Sequence, residues 1–498
     1  MGLRGYVMPW RPFLSPIIEW VALFGYGLLL YLIAPRAENH RMFLWARSRR
    51  GPPSAALLTA SVLVTWIFAK SITNAANLGE KYGILGGIAY AGWYLSVPIA
   101  GLLIYRIRKS GHEGLIPFLT ARFGPAAAFL FSAAILIRLF NEVWSNTAVV
   151  GSYFGAPGSP WFYAGAVAFT GSVLLYTFRG GLRASIFTDR LQLALAVVLL
   201  ALVLGMAVPA HGVAQLASTS QFTLAGGLDL FWVALLQTSS YPFHDPVLTD
   251  RAFVTPPRKM LIAYTLAGLL GGGFIVLYSL LGVHARLSGL GGSGDAPVRV
   301  AVSLGSGALI IVSLLMMNSA GACLDSCFSA IARHVSVDLA GEGGAHPSGF
   351  RGLLAPIRKL AANDHGLSLG RWTMLAFAVL GNVPLFWNAN ILKATTISGT
   401  MVLGLAPPFL LWRWHRPAPA AFYCSFGCGL AVGVVGVLGA WPKALEIGAG
   451  ANAGLLGQNV FGLLLCTSAY GLGVLWEASR ARVAAPVAQE YFESTIGL

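Results

Sequence analysis

Lys70, Arg138, Glu142, Asp189 and Asp325 are charged side chains set inside stretches that are otherwise apolar. A charge at the centre of a spanning helix costs roughly 2.5–3.5 kcal/mol on insertion scales, so such groups face a partner, a cavity or an ion path. Lys70 opens a polar stretch with Ser71, Thr73, Asn74 and Asn77. A second one runs from Gln237 through Ser239, Ser240, Tyr241, Pro242 and Phe243 to His244 and Asp245. Ser71, Thr73, Asn74, Asn77, Ser239, Ser240, Tyr241 and Phe243, with Trp93 and Tyr94 as an aromatic wall, describe a pocket for a small polar solute. The same residue types also serve as interhelical glue and packing. Arg138 and Glu142 are four apart, with Asn141 beside them, so they either pair on one helix face or use Arg138 to read a carboxylate or amide. No HExxH, GxSxG or P-loop motif occurs, which argues against an enzyme. The five cysteines lie in apolar runs without the His or carboxylate neighbours of a metal site, and no cofactor is implied.

Membrane helices must position these groups. The 498 residues are 56% hydrophobic and 10% charged, against about 25% charged in an ordinary soluble domain. A bilayer-spanning helix takes roughly 20 apolar residues, and about thirteen such runs follow one another from Leu14–Ala34 to Ala453–Trp476. The net charge of +15 follows topology rather than nucleic acid. With the N-terminus outside, basic clusters such as Arg36–Arg50, Arg106–Lys109, Arg179–Arg183 and Arg351–Lys359 all fall on the cytoplasmic side. The lipid bilayer is the expected partner, and a plasma (inner) membrane location with a cytoplasmic C-terminus the expected setting.

Five helices separate the two polar stretches, and Pro242 disfavours helical geometry at Tyr241. That interval fits two five-helix repeats of inverted topology, each beginning with a broken helix, with a solute site near the midplane. The expected units are 1–54, a flanking helix and basic loop; 55–209, the first repeat; 226–413, the second, with a cytoplasmic linker at 338–370; and 418–498, the C-terminal helices and tail. Leu353–Ala361 is expected to form a short surface helix in that linker. The whole is an all-α membrane protein of secondary-transporter type. A sensor acting through a separate partner would keep the same pocket.

Three segments carry a resemblance to the sodium/solute symporter family. Arg179–Gln192 (RGGLRASIFTDRLQ) is similar to the family's Gly-Gly-Leu-x-Ala-x-x-x-Thr-Asp-x-x-Gln stretch. Gly321–Leu339 matches a Ser-Ser-x-Asp-Ser segment at Asp325 and Ser326, and Thr65–Gly83 resembles its first broken helix. The resemblance implies a leucine-transporter-type fold and alternating access. It also implies a sodium ion held between the first broken helix, at Ala69 and Lys70, and two adjacent hydroxyl residues. Here that pair is Ala322 and Cys323, and a hard cation wants oxygen ligands. The reading is that the Lys70 ammonium replaces the ion, with Asp189 as its carboxylate. A proton-coupled cycle follows if the amine gives up its proton in one state; a permanent structural ion pair is the alternative. Sodium and a proton remain the candidate coupling ions.

Overall fold

The computed structural model describes residues 16–46, 51–218, 220–292, 294–340, 359, 364, 366–387 and 391–496. Those residues form helices and turns, with no β-strand among them. The first half holds α1 (Pro16–Ile33), α2 (His40–Trp45), α3 (Ala55–Trp66), α4 (Ala69–Tyr82), α5 (Ile84–Ala91), α6 (Ser96–Lys109), α7 (Leu115–Phe123), α8 (Pro125–Gly151) and α9 (Pro160–Ala207). The second half begins with α10 (Val213–Ser218), α11 (Asp229–Gln237), α12 (Pro246–Arg251), α13 (Pro257–Leu287), α14 (Ala296–Ser303) and α15 (Ser306–Arg333). It ends with α16 (Leu367–Leu380), α17 (Ile391–Met401), α18 (Ala406–Leu411), α19 (Pro419–Val437) and α20 (Ala453–Ile496).

Among the described residues, nine helices are long and apolar enough to cross a membrane, or ten if α3 and α4 form one bent span. The sequence suggested about thirteen. Two expected runs lie on either side of the Gly181 kink in α9, and Ile17–Ile33 and Leu224–Gln237 are shorter apolar helices. The linker at 338–370 and its helix at Leu353–Ala361 lie almost wholly outside the described residues.

The distribution of polarity is inverted relative to a soluble protein. Leu32 is 70% exposed and Leu175 62%, whereas Lys70, Arg138, Glu142 and Asp189 are at most 2% exposed. Apolar side chains facing outward and charges facing inward suit a lipid solvent, which offers the backbone no hydrogen bonds and makes helices obligatory.

Three interruptions shape the interior. Between α3 and α4, Ile67 and Phe68 leave helical geometry and the axis turns by 60°. The Trp66 carbonyl freed there accepts a hydrogen bond from the Tyr94 hydroxyl at 2.5 Å, which keeps the break satisfied away from water. After α11 the chain turns through Thr238–Ser240 and a 3-10 segment at Tyr241–His244. Asp245 then caps α12, accepting from the Val247 amide at 3.1 Å, and Pro246 occupies the first helical position, where a missing donor is harmless. Within α9, Gly181 adopts φ +54°; a Cβ there would lie 2.5 Å from the Phe43 carbonyl oxygen. Only glycine allows that conformation and that approach of α2 without strain.

Candidate ion and solute site

Lys70 stands in the first turn of α4, just past the first break. Helix amides present partial positive charge at that end, so an ammonium there needs an anion close by. Glu142 of α8 supplies it: Lys70 Nζ lies 2.5 Å from Glu142 Oε1. Arg138, one turn earlier on α8, also pairs with Glu142 and reaches Asp245 at 3.1 Å. Two cations thus face two carboxylates. Asn146 donates to the Glu142 backbone carbonyl at 2.8 Å and accepts from the Lys70 amide at 3.4 Å. Cys323 of α15 lies beside them, its Sγ 3.4 Å from Asn146 Nδ2 and 3.8 Å from Glu142 Oε2. Phe68 from the first break and Tyr241 from the second close over the cations: Arg138 Cζ is 4.8 Å from the Tyr241 ring centre, and Lys70 Nζ is 5.3 Å from that of Phe68. Ala69 and Ala322 are fully buried and offer no side-chain oxygen. Asn141 stays outside the cluster, its amide nitrogen without a partner.

Asp189 is not the partner of Lys70, which corrects the sequence reading. Lying beyond the Gly181 kink, Asp189 faces α3 and α12. Its Oδ2 accepts from the Ser61 hydroxyl at 2.5 Å and lies 3.5 Å from Arg251 Nη2, while its Oδ1 has no hydrogen-bond partner among the described residues. Arg251 donates to Ser61 at 2.8 Å, to Ser185 at 3.0 Å and to Ser326 at 2.7 Å. Asp325 accepts four hydrogen bonds, from Ser185, Ser326, Tyr176 and Thr188. This second cluster therefore holds two carboxylates and one guanidinium. A third, at the ends of α12 and α15, joins Asp250 to Arg333 and Asp338 to His334. Asp250 lies beyond the spans, and burial pushes its carboxyl up to about 6, against the pull of the Arg333 guanidinium.

Of the residues nominated for a solute, the structure brings some together and sends others elsewhere. The Tyr90 hydroxyl lies 3.2 Å from Ser71 Oγ and 3.4 Å from Asn74 Nδ2, and the Tyr90 ring packs 5.2 Å from that of Trp93. Trp93 donates to Gln237 Oε1 at 2.9 Å, and Gln237 in turn donates to Asn459 of α20 at 3.0 Å. Thr73 is buried on α4. Ser239 and Ser240 bond the carbonyls of Leu236 and Gln237, closing the end of α11. Asn77 leaves the group: it caps α14 by accepting from the Ala296 amide and donates to Asp295 at 2.7 Å. Tyr94 serves the break at Trp66 instead of forming a wall. Phe243 is stacked on Phe409, ring centres 4.1 Å apart. Sequence reasoning did not nominate Tyr90, Gln237, Asp245, Arg251, Ser61 or Ser185 as site residues. The signal for Gln237 was a buried amide ending an apolar run.

The sodium:solute symporter family model matches residues 53–252. The match includes Thr65–Gly83 and Arg179–Gln192 and stops before Gly321–Leu339. No curated protein matches the chain in sequence. Among solved structures, the chain is similar to a Na+-coupled sialic acid symporter in a substrate-bound outward-open state, at 14% identity and TM-score 0.68 over 92% of this chain and 98% of that one. It is also similar to Mhp1, a nucleobase-cation-symport-1 family transporter, in a closed conformation with bromovinylhydantoin bound, at 11% identity and TM-score 0.54 over 89% and 96%. At such identities the likeness is one of fold. The stretch from residue 53 to residue 252 is thus similar in sequence to the sodium:solute symporter family.

Proposed function

We propose that this multi-pass membrane protein is a secondary active transporter that moves a small polar solute by alternating access without sodium. Lys70 provides a fixed positive charge where the family resemblance implies a sodium ion. The observation that carries this reading is the Lys70–Glu142 pair, seated at the first helix break beside Cys323. Lys70, Ala69, Ala322 and Cys323 then mark the replaced ion site, with Glu142 as the counter-charge and Arg138 and Asp245 completing it. The solute sits among Ser71, Asn74, Tyr90, Trp93 and Gln237, near the two breaks. Two inverted five-helix repeats, an N-terminus outside and a plasma membrane setting accord with the arginine-rich loops and the spacing of the broken helices. Proton coupling follows if Lys70 passes its proton to Glu142 in one state.

One observation favours a second reading, an ion or proton at a non-standard site. Among the described residues, Asp189 Oδ1 is buried without a partner, in a cluster with one more carboxylate than cation. A single experiment separates the readings. The purified protein is screened by thermal shift against small polar metabolites with sodium or potassium as the salt. The best ligand is then used for counterflow in proteoliposomes under both salts. Equal stabilisation and equal counterflow are expected; strict sodium dependence of either would overturn the proposal.

A further inference from the structure

A cavity of about 590 Å³ opens between α2, α3 and the part of α9 beyond Gly181. Its wall is apolar at Met42, Leu57, Ile186 and Phe187, and its rim is basic at Arg183 and Arg190, with Glu38 also on the rim. Arg190 is exposed, and among the described residues no carboxylate pairs with it; its guanidinium lies 4.5 Å from the centre of the Phe187 ring. Among the described residues, Arg183 bonds the Arg36 carbonyl, at 3.3 Å, and the Met42 sulfur, and no carboxylate. Position matters as much as charge. From Leu191 to Ala207 the helix is apolar apart from the buried Gln192, a length of roughly 25 Å at 1.5 Å per residue, close to the ~30 Å of a hydrocarbon core. Arg190 therefore stands at headgroup level, on the side to which the basic loops assign the cytoplasm. The helix face that carries it continues into the apolar interior through Val197, 47% exposed, and Val198, 54% exposed, seven and eight residues on and so on the same side of the helix.

We propose that this groove binds an anionic phospholipid, with its phosphate between Arg183 and Arg190 and its acyl chains along the Phe187–Val198 face of α9. Guanidinium pairs phosphate in a planar, two-pronged geometry, and basic pockets at the cytoplasmic ends of spanning helices suit such headgroups. A lone free phosphate would satisfy the arginines but leave the apolar strip unused, so the lipid accounts for both parts of the surface.

The test uses the full-length protein, delipidated in detergent, with its melting temperature followed as phosphatidylglycerol, phosphatidylcholine or inorganic phosphate is added. Phosphatidylglycerol should raise the melting temperature saturably, and the other two should not. Arg190→Gln should weaken the phosphatidylglycerol titration roughly fivefold, the worth of one basic side chain beside an anionic headgroup. Its lipid-free melting temperature should stay at the wild-type value, because among the described residues Arg190 makes no hydrogen bond or ion pair. Arg183→Lys, which keeps the charge and loses the fork, should weaken the titration less. Equal responses to the two lipids, a phosphate response equal to the lipid's, or an unaltered titration in Arg190→Gln would each overturn the proposal.

Discussion

At Glu142 two cations converge on one carboxylate, and no water-facing surface is at hand to screen them. Breaking a buried ion pair by removing one partner leaves an uncompensated charge, at a cost of about 3–5 kcal/mol. Glu142→Gln should therefore lower unfolding stability in detergent by about that amount, because Lys70 and Arg138 would share Asp245 alone. Adding Lys70→Met to that variant should restore part of the loss by removing the stranded ammonium. Strictly additive costs in the double-variant cycle would mean that Lys70 and Glu142 do not interact. The Arg138–Glu142 pair could be read from the sequence, since four residues on a helix make one face. Lys70 with Glu142 could not, because 72 positions separate them and the register between α4 and α8 is set by tertiary packing. The same limit explains why Asp189 was paired with the wrong cation: its motif identifies a helix entry, and the Gly181 kink then turns that helix toward Arg251.

Six residues long, α12 is tied to four neighbouring helices at once. Asp245 at its start holds Arg138 of α8, Asp250 holds Arg333 of α15, and Arg251 joins Asp189 of α9 and Ser61 of α3. Any motion of the segment after the second break must disturb all four. Asp250 makes that tie sensitive to pH. Its native pKa of about 6 lies above the unfolded value of ~3.9. The stability it contributes is thus complete below about pH 4 and lost as pH rises through about 6. Asp250→Asn cannot ionise, so its melting temperature should gain on wild type as pH is raised from 4 to 7; parallel curves would mean the carboxyl is not perturbed. Both breaks were legible as elements, from polar residues inside apolar runs and from Pro242. The use of Tyr94 to cap the first break was not, since a hydroxyl donor to a distant carbonyl leaves no periodic mark.

Across the whole molecule, composition alone announced an all-helical membrane protein, because apolar runs this dense have no other solvent to face. The number of spans was less legible: helices broken, bent or shortened near the interior do not divide at the runs' edges. The family model matches no further than residue 252, yet the likeness in fold extends over nine-tenths of the chain. The second half thus keeps its architecture with fewer recognisable residues. One consequence of the Lys70–Glu142 pair belongs to this scale. A bound ion would enter from one side of the membrane and leave on the other, whereas a lysine moves with the protein and returns with it. Membrane voltage does about 2.3 kcal/mol of work on each elementary charge carried through 100 mV. With an uncharged solute, and absent proton exchange at Lys70, this carrier gives the voltage nothing to push. Its uptake into proteoliposomes clamped by a potassium diffusion potential should be the same at either polarity; faster uptake with the interior negative would reveal a travelling cation. In that event the energy for transport would enter with that cation, either a proton exchanged at Lys70 or an ion bound elsewhere.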